Sequence, residues 1–241
     1  MSLVLPTFSG FVQPASGGGG AYANELSASF DGSDDRLTIG SGVESVINNA
    51  STLSVSAWFK LSANGGAIFS SGSSGTNGFW LYPYSDGLFI FAARNSSSES
   101  MLVTPPSLNN WHHVCGVLNG SSSALYIDGS VVGTGTLPAL GSSGGDSPSI
   151  GSFLNTGGFI NGLIDEVAIF SSALSATDVT NIYNSGVPAD LSSLSPAGWW
   201  RMGENDSGSA GGTIGTVTDQ GSGANNATGV NGAIYSSDVA S

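Results

Sequence analysis

Carboxylates stand in adjacent pairs twice in this chain, at Asp34-Asp35 and at Asp165-Glu166. Two carboxyl groups facing each other across a cleft hydrolyse glycosidic bonds, one giving a proton while the other activates water or attacks. Carboxylates crowded into a tight turn instead suit a hard cation such as calcium, which takes oxygen ligands, backbone carbonyls included. Asp31-Gly32-Ser33-Asp34-Asp35 is such a turn, and in it Asp31 and Asp34 serve equally well as acceptors for their own backbone. The two histidines, His112 and His113, are neighbours on opposite faces of one expected strand. A base and its orienting partner therefore cannot both come from that pair. Gly-x-Ser-x-Gly spacing falls in loops where Gly and Ser are everywhere, so it marks no nucleophile. No catalytic residue is assigned, and the chain reads as a non-enzyme.

The elements that would position these groups are short strands. Of 241 residues 37 are glycine and only 9% are charged, so turn residues recur every few positions and strong helix formers are scarce. That composition predicts an all-β fold. Residues 111–118, 124–127 and 130–133 read as three strands, joined through Asn119-Gly120 and the two-residue hairpin signal Asp128-Gly129. Residues 52–61 alternate, with Leu53, Val55, Ala57, Phe59 and Leu61 on one face and Ser54, Ser56, Trp58 and Lys60 on the other. Ser175 and Asp178 form a capping box that opens one helix, which Gly186 is expected to close before Pro188. Residues 26–30, 67–70, 78–82, 88–93, 101–103, 149–153, 158–170, 199–204, 216–219 and 232–235 are further expected strands, and residues 31–39 read as an acidic turn followed by a strand. Residues 220–227 read as a turn.

The formal charge is −13 with four basic residues, Arg36, Lys60, Arg94 and Arg201. Such a surface repels phosphate, which argues against nucleic acid and anionic membranes as partners. No apolar run approaches the ~20 residues that span a bilayer. Cys115, the one cysteine, falls inside an expected strand and reads as a small buried residue. Residues 1–24 read as a separate arm, with Leu3, Leu5, Phe8 and Phe11 as candidate assembly contacts ahead of a hinge at Gly17-Gly18-Gly19-Gly20. No secretory signal is expected at this N-terminus.

In order along residues ~25–186, several segments resemble laminin-G-like domains, the concanavalin A-like jelly rolls. They are Phe30-Asp31-Gly32-Ser33-Asp34-Asp35, Leu53-Ser-Val-Ser-Ala-Trp58-Phe59, Trp111-His-His-Val, Leu125-Tyr-Ile-Asp-Gly129 and Gly162-Leu-Ile-Asp165-Glu166-Val. Two more, Gly198-Trp-Trp-Arg-Met-Gly-Glu204 and Thr218-Asp219-Gln220-Gly, resemble the family's opening strands but follow the helix. The resemblance implies an all-β, two-sheet jelly-roll sandwich over residues 25–241, circularly permuted, with 197–241 supplying the displaced strands. It implies one structural calcium between the Asp31–Asp35 turn and the Ile-Asp-Glu-Val strand, with Asp34 and Asp165 as carried-over ligands. It also implies carbohydrate binding. Trp80, Tyr82 and Tyr84 alternate on one face of a strand end and Asp86 follows, which makes them the candidate sugar platform.

Two roles follow from this reading. One is a non-enzymatic structural or adhesive protein of a virus particle, a phage capsid decoration or fibre component, whose partners are other copies and other virion proteins. The other is a secreted, lectin-like module that binds surface glycans, with or without calcium. A homo-oligomer is expected in the first.

Overall fold

The computed structural model describes residues 22–73, 77–96, 98–142 and 148–241. The proposed arm contacts Leu3, Leu5, Phe8 and Phe11 lie outside the described residues. Sixteen strands are present among them. They are β1 Ser27–Asp31, β2 Arg36–Ile39, β3 Thr52–Ala63, β4 Phe69–Ser73, β5 Asn77–Tyr84, β6 Leu88–Asn95, β7 Ser98–Val103 and β8 His112–Asn119. Then follow β9 Ser123–Ile127, β10 Ser130–Gly135, β11 Ser149–Ile150, β12 Asn161–Phe170, β13 Gly198–Trp200, β14 Thr216–Val217, β15 Ala227–Val230 and β16 Ile234–Ser236. The helices are one turn, α1 Glu44–Ile47, and the capped α2 Ala176–Tyr183. None is long and apolar enough to cross a membrane among the described residues.

The strands form two eight-stranded antiparallel sheets. The first runs β10-β9-β8-β3-β12-β1-β16, with β13 also bonded to β12; the second runs β14-β15-β2-β11-β4-β5-β6-β7. This is the jelly-roll sandwich expected of the sequence. The residues after α2 enter both sheets. Val167, Ala168 and Ile169 of β12 pair with Trp200, Trp199 and Gly198 of β13. In the second sheet β15 pairs with β2 from Ala227↔Ile39 to Val230↔Arg36. Residues 220–227 were expected to be a turn, yet β15 begins at Ala227, because the register against β2 continues the sheet there.

Between the sheets lies one apolar core that includes Phe30, Val55, Phe59, Phe79, Phe89, Phe91, Ile164, Ile169 and Trp200. The alternating face of β3 points into it as the spacing predicts. Its opposite face is buried as well. The Ser54 hydroxyl accepts from Leu174 N at 2.9 Å and donates to Ser172 O at 2.9 Å. Trp58 stacks on Tyr183 at 5.8 Å. The reason is α2, whose Val179 and Ile182 pack with Cys115, Val117, Ala168, Phe170 and Trp199 in a second apolar cluster on the outside of the first sheet. A polar face on a strand is thus no guarantee of solvent when serines can hydrogen-bond an overlying segment.

The capping box of α2 forms as expected, Asp178 N donating to Ser175 Oγ at 3.1 Å and Ser175 N to Asp178 Oδ2 at 3.0 Å. The helix ends at Tyr183, three residues before Gly186, because Asn184 takes the left-handed conformation (φ 45°) and closes it. Asn tolerates that region almost as well as Gly.

Trp200 is fully buried and its indole N–H donates to Asn225 O at 2.9 Å, tying β13 to the segment that enters β15. Trp200→Ala should lower unfolding free energy by about 3–5 kcal/mol, read from the urea midpoint at unchanged slope.

Candidate functional site

Among the described residues, no helix covers the outer face of the second sheet; α2 packs on the first. Across its strands the register places Thr216, Thr228, Thr38, Ser149 and Ser70 in one row, continued by Trp80 and Ala92. The serines of that row are buried and knotted to the loop after β11. Ser70 Oγ lies 2.9 Å from Ser149 Oγ and donates to Ser152 O at 2.8 Å, while Leu154 N donates back to Ser70 Oγ at 2.8 Å. Thr38 Oγ1 donates to Asn155 Oδ1 at 3.1 Å. Strapped down this way, the loop brings Phe153 over the sheet. Sequence spacing predicts strand as far as residue 153, but β11 stops at Ile150 and the loop takes over.

Phe153 completes an aromatic groove. It stacks on Tyr82 (5.5 Å, 21°) and leans on Trp80 (5.4 Å, 54°). Tyr82 meets Tyr84 edge-on at 5.4 Å. Trp80, Tyr82, Tyr84, Ile90, Arg94 and Phe153 line a cavity of about 280 Å³, near the lower end of small-ligand sites at roughly 300–1,000 Å³. Burial pushes the Tyr82 phenol above its ordinary pKa. Gly158, at φ +51°, allows the close approach: a Cβ there would stand 2.9 Å from Tyr82 Oη and 3.0 Å from Phe153 Cβ.

The three aromatic residues picked out in the sequence therefore meet in one groove, with different parts. Trp80 is 3% exposed and forms the floor, covered by Phe153 and by the Arg94 guanidinium 4.6 Å above its ring. Tyr84, 41% exposed, and Tyr82 offer the accessible faces. Asp86 sits exposed in the turn after β5 and does not line the cavity. Ile90 and Arg94 were not foreseen, though both follow from pairing β6 with β5, where Ile90 opposes Tyr82 and Arg94 opposes Gly78. Phe153 had no local signal, since only the serine knot brings its loop there.

The acidic turn and the carboxylate pair separate. Asp31, Asp34 and Asp35 bring one oxygen each to within 4.8 Å of one another. Asp31 Oδ1 accepts from Ser33 N at 2.7 Å and Asp35 Oδ2 from Asp31 N at 3.1 Å. Each carboxylate keeps a second oxygen, so this all-oxygen set could hold a hard cation. Asp165 does not join it, which corrects the Asp34/Asp165 ligand pair. Asn161 is the β12 residue beside Asp31, and Asp165 lies four residues further along, about 13 Å away at strand rise. Asp165 is also fully buried, with Oδ1 accepting from Glu166 N at 2.8 Å.

Glu166 occupies a bulge in β12 at φ 48°, where the register against β3 shifts between Asp165 and Ala168. The bulge sends both carboxylates to the same outer face, where they do not flank an open cleft. Glu166 is 2% exposed and accepts from Trp199 Nε1 at 2.6 Å and Arg201 Nε at 3.1 Å. Arg201 also donates to Ala23 O and lies over the rings of Tyr22 and Trp199 at 4.2 and 5.4 Å.

The histidines divide too. His113 is buried against Ser56 Oγ at 2.8 Å, and burial holds its pKa down at about 4. His112 does have an orienting partner, which adjacency of the histidines concealed. Its Nδ1 lies 2.7 Å from Asp128 Oδ2 and its Nε2 3.0 Å from Ser107 Oγ. Asp128 Oδ1 also accepts from His113 N at 2.9 Å, so this relay locks the hairpin turn to β8. Ser107 is exposed and does not line the aromatic cavity.

Burial raises Glu166 from 4.5 to about 7 against the lowering by Arg201, and raises Asp165 through burial and the Glu166 charge. A carboxyl more basic in the folded state keeps its proton there while the unfolded chain loses it. Its stabilisation is complete below about pH 4.5 and fades as pH rises toward 7. His113 acts oppositely, since its folded pKa is lowered, so stability from it grows as pH rises from about 4 to 6.5. The difference between Glu166→Gln and the parent isolates the first effect: melting temperatures from pH 4.5 to 7.5 should fall less steeply in the variant.

The match to a family model of the concanavalin A-like lectin/glucanases superfamily covers residues 31–180. No curated protein sequence matches the chain. Among solved structures it is similar to a candidate carbohydrate binding protein from Bacteroides ovatus at 16% identity and a TM-score of 0.67, covering 90% of this chain and 61% of that one. It is also similar to domain 4 of an extracellular GH43 arabinanase from Geobacillus stearothermophilus, solved with arabinotriose. There the identity is 21%, the TM-score 0.53, and the coverage 65% of this chain and 76% of that one. At these identities the similarity concerns the fold, and the chain spans about three-fifths of the Bacteroides protein. Two antiparallel sheets in jelly-roll order and a family match over more than half the sequence lead to one statement: this chain belongs to the concanavalin A-like lectin/glucanases superfamily, with a laminin-G-like domain.

Proposed function

We propose that the chain is a non-catalytic carbohydrate-binding module and that its aromatic groove receives one end of a saccharide. The observation that carries this is the meeting of Tyr82, Tyr84 and Phe153 over an apolar floor on the outer face of the second sheet. Pyranose and furanose rings present faces of C–H groups, which lose unfavourable hydration against aromatic surface, while their hydroxyls need polar groups at the rim. The similarity to a candidate carbohydrate binding protein and to an arabinanase domain solved with arabinotriose supports the same reading.

A hydrolase would need two carboxyl groups facing each other across an accessible gap. Here Asp165 and Glu166 are both buried, and Glu166 is bonded to Trp199 and Arg201, which favours the non-catalytic reading. The module works outside the cell in this proposal, whether secreted or carried on a virus particle. The particle-borne version depends on the arm at Leu3, Leu5, Phe8 and Phe11, outside the described residues, so the groove is the better-supported basis. We extend the proposal to one calcium ion at Asp31, Asp34 and Asp35, where it would clip the β1–β2 turn without touching the groove.

Two outcomes test the reading. Tyr82→Ala and Tyr84→Ala should each weaken binding of arabino-, gluco- or galacto-oligosaccharides at least tenfold by calorimetry, with unchanged circular dichroism. Absence of any saccharide binding by the parent chain overturns the proposal. Adding calcium after chelation should raise the melting temperature of the parent but not of Asp34→Asn, and should leave saccharide affinity unchanged.

A further inference from the structure

We infer that the groove is selective for a saccharide carrying one carboxylate, a uronic or sialic acid residue, and that Arg94 is the residue that selects it. The inference rests on the carbohydrate-binding reading above and narrows its ligand class.

Arg94 is singular among the basic residues of this chain. Lys60 pairs with Asp238 at 2.6 Å and Arg201 with Glu166 at 3.1 Å, and Arg36 donates to Asp34 O at 3.2 Å. Arg94 makes no ion pair and no side-chain hydrogen bond to a described residue, in a chain of 17 acidic groups. Its Nε is buried without a partner. Its guanidinium carbon lies 4.6 Å from the centre of the Trp80 ring and its side chain lines the cavity. Among the described residues, no acidic side chain shares that lining.

Gly78 makes this placement possible. It opposes Arg94 in the register, and the Trp80 indole lies across it: a Cβ at Gly78 would stand 2.9 Å from Trp80 Cζ2. The ring fills the space a side chain would take and presents its face to the guanidinium. A cation held over an aromatic ring is attracted to it but gains no hydrogen bond there. Its N–H groups stay available on the ligand side, and a partly dehydrated guanidinium gains most from a carboxylate that matches its planar fork.

The rest of the surface sets the charge number. At −13 the protein repels a polyanion, and Asp86 stands in the turn just past Tyr84. At physiological salt, screening acts over ~8 Å, so a single carboxylate within reach of Arg94 is shielded from the more distant acids. A chain of sulfates is not. A cavity of about 280 Å³ likewise suits one sugar ring rather than a long polymer.

The test uses three probes whose neutral partners isolate the carboxylate: methyl glucuronide against methyl glucoside, methyl galacturonide against methyl galactoside, and methyl N-acetylneuraminide against its methyl ester. Affinities are read by saturation-transfer NMR with the full chain. At least one acid should bind about tenfold more tightly than its partner, ~1.4 kcal/mol, and the margin should shrink in 0.5 M NaCl. Arg94→Gln should remove the preference while retaining the neutral sugar, and Arg94→Lys should keep part of it. Melting temperatures confirm folding of both variants, and the salt response of the parent stands even if a variant fails to fold. Equal binding of acid and neutral partners, lost in Tyr82→Ala, overturns the inference and leaves the carbohydrate reading intact. Binding of none of the probes, together with none of the neutral oligosaccharides, overturns both.

Discussion

A buried carboxylate, Glu166, is the point on which this architecture turns. An ionised side chain in a protein interior must have its lost hydration replaced by donors. Glu166 recruits them from far along the chain, Trp199 Nε1 at 2.6 Å and Arg201 Nε at 3.1 Å. Arg201 in turn donates to Ala23 O and stacks with Tyr22. Residues from the first and last parts of the described chain are thereby tied to the middle of β12. That strand is bonded to β3 on one side and to both β1 and β13 on the other. A bulge places Glu166 there, since the slip in register sends two successive side chains outward. Without the slip Glu166 would point into the core.

The same strand decides which face of the molecule is free. The outside of the first sheet is covered by α2 and the segment that follows it, packed on Ala168, Phe170 and Trp199. Ser54 on β3, which pattern alone would send to solvent, is consumed in hydrogen bonds to Ser172 and Leu174 in the segment leading into α2. Among the described residues, the outer face of the second sheet carries the strapped loop after β11 and no helix. That loop is held by hydroxyl groups, so one side of the face is rigid and polar while the other, at β5 and β6, is aromatic. Binding surfaces combine in this way an apolar area for contact with polar groups that fix orientation. Arg94 is the charged side chain that lines the aromatic part. The cost of leaving a guanidinium without a protein partner is moderated by the Trp80 ring.

Local patterning was sufficient for much of this. Alternation in β3, the Asp128-Gly129 hairpin and the Ser175–Asp178 capping box depend on neighbours within a few residues, and all three appear as the spacing predicts. The alternation of Trp80, Tyr82 and Tyr84 placed three groove residues on one face for the same reason. Long-range pairing was less legible. The role of Arg94 requires knowing that β6 lies opposite β5 in a particular register, and Phe153 arrives through hydroxyl contacts between residues about 80 apart. Asp34 and Asp165 are the converse case: motifs suggested proximity, and the position of each along its strand denied it.

By itself, then, the sequence determined the all-β class, the strands with strict period, the helix start and the aromatic stripe, because each depends on backbone stereochemistry and burial over a few residues. Only the tertiary structure decided how the final strands divide between the two sheets, that Glu166 joins distant segments, and that an arginine without an ion pair among the described residues lines the aromatic groove. Those outcomes depend on which surfaces meet, and hydrogen bonds between residues 20 to 180 positions apart leave no periodic trace in the chain.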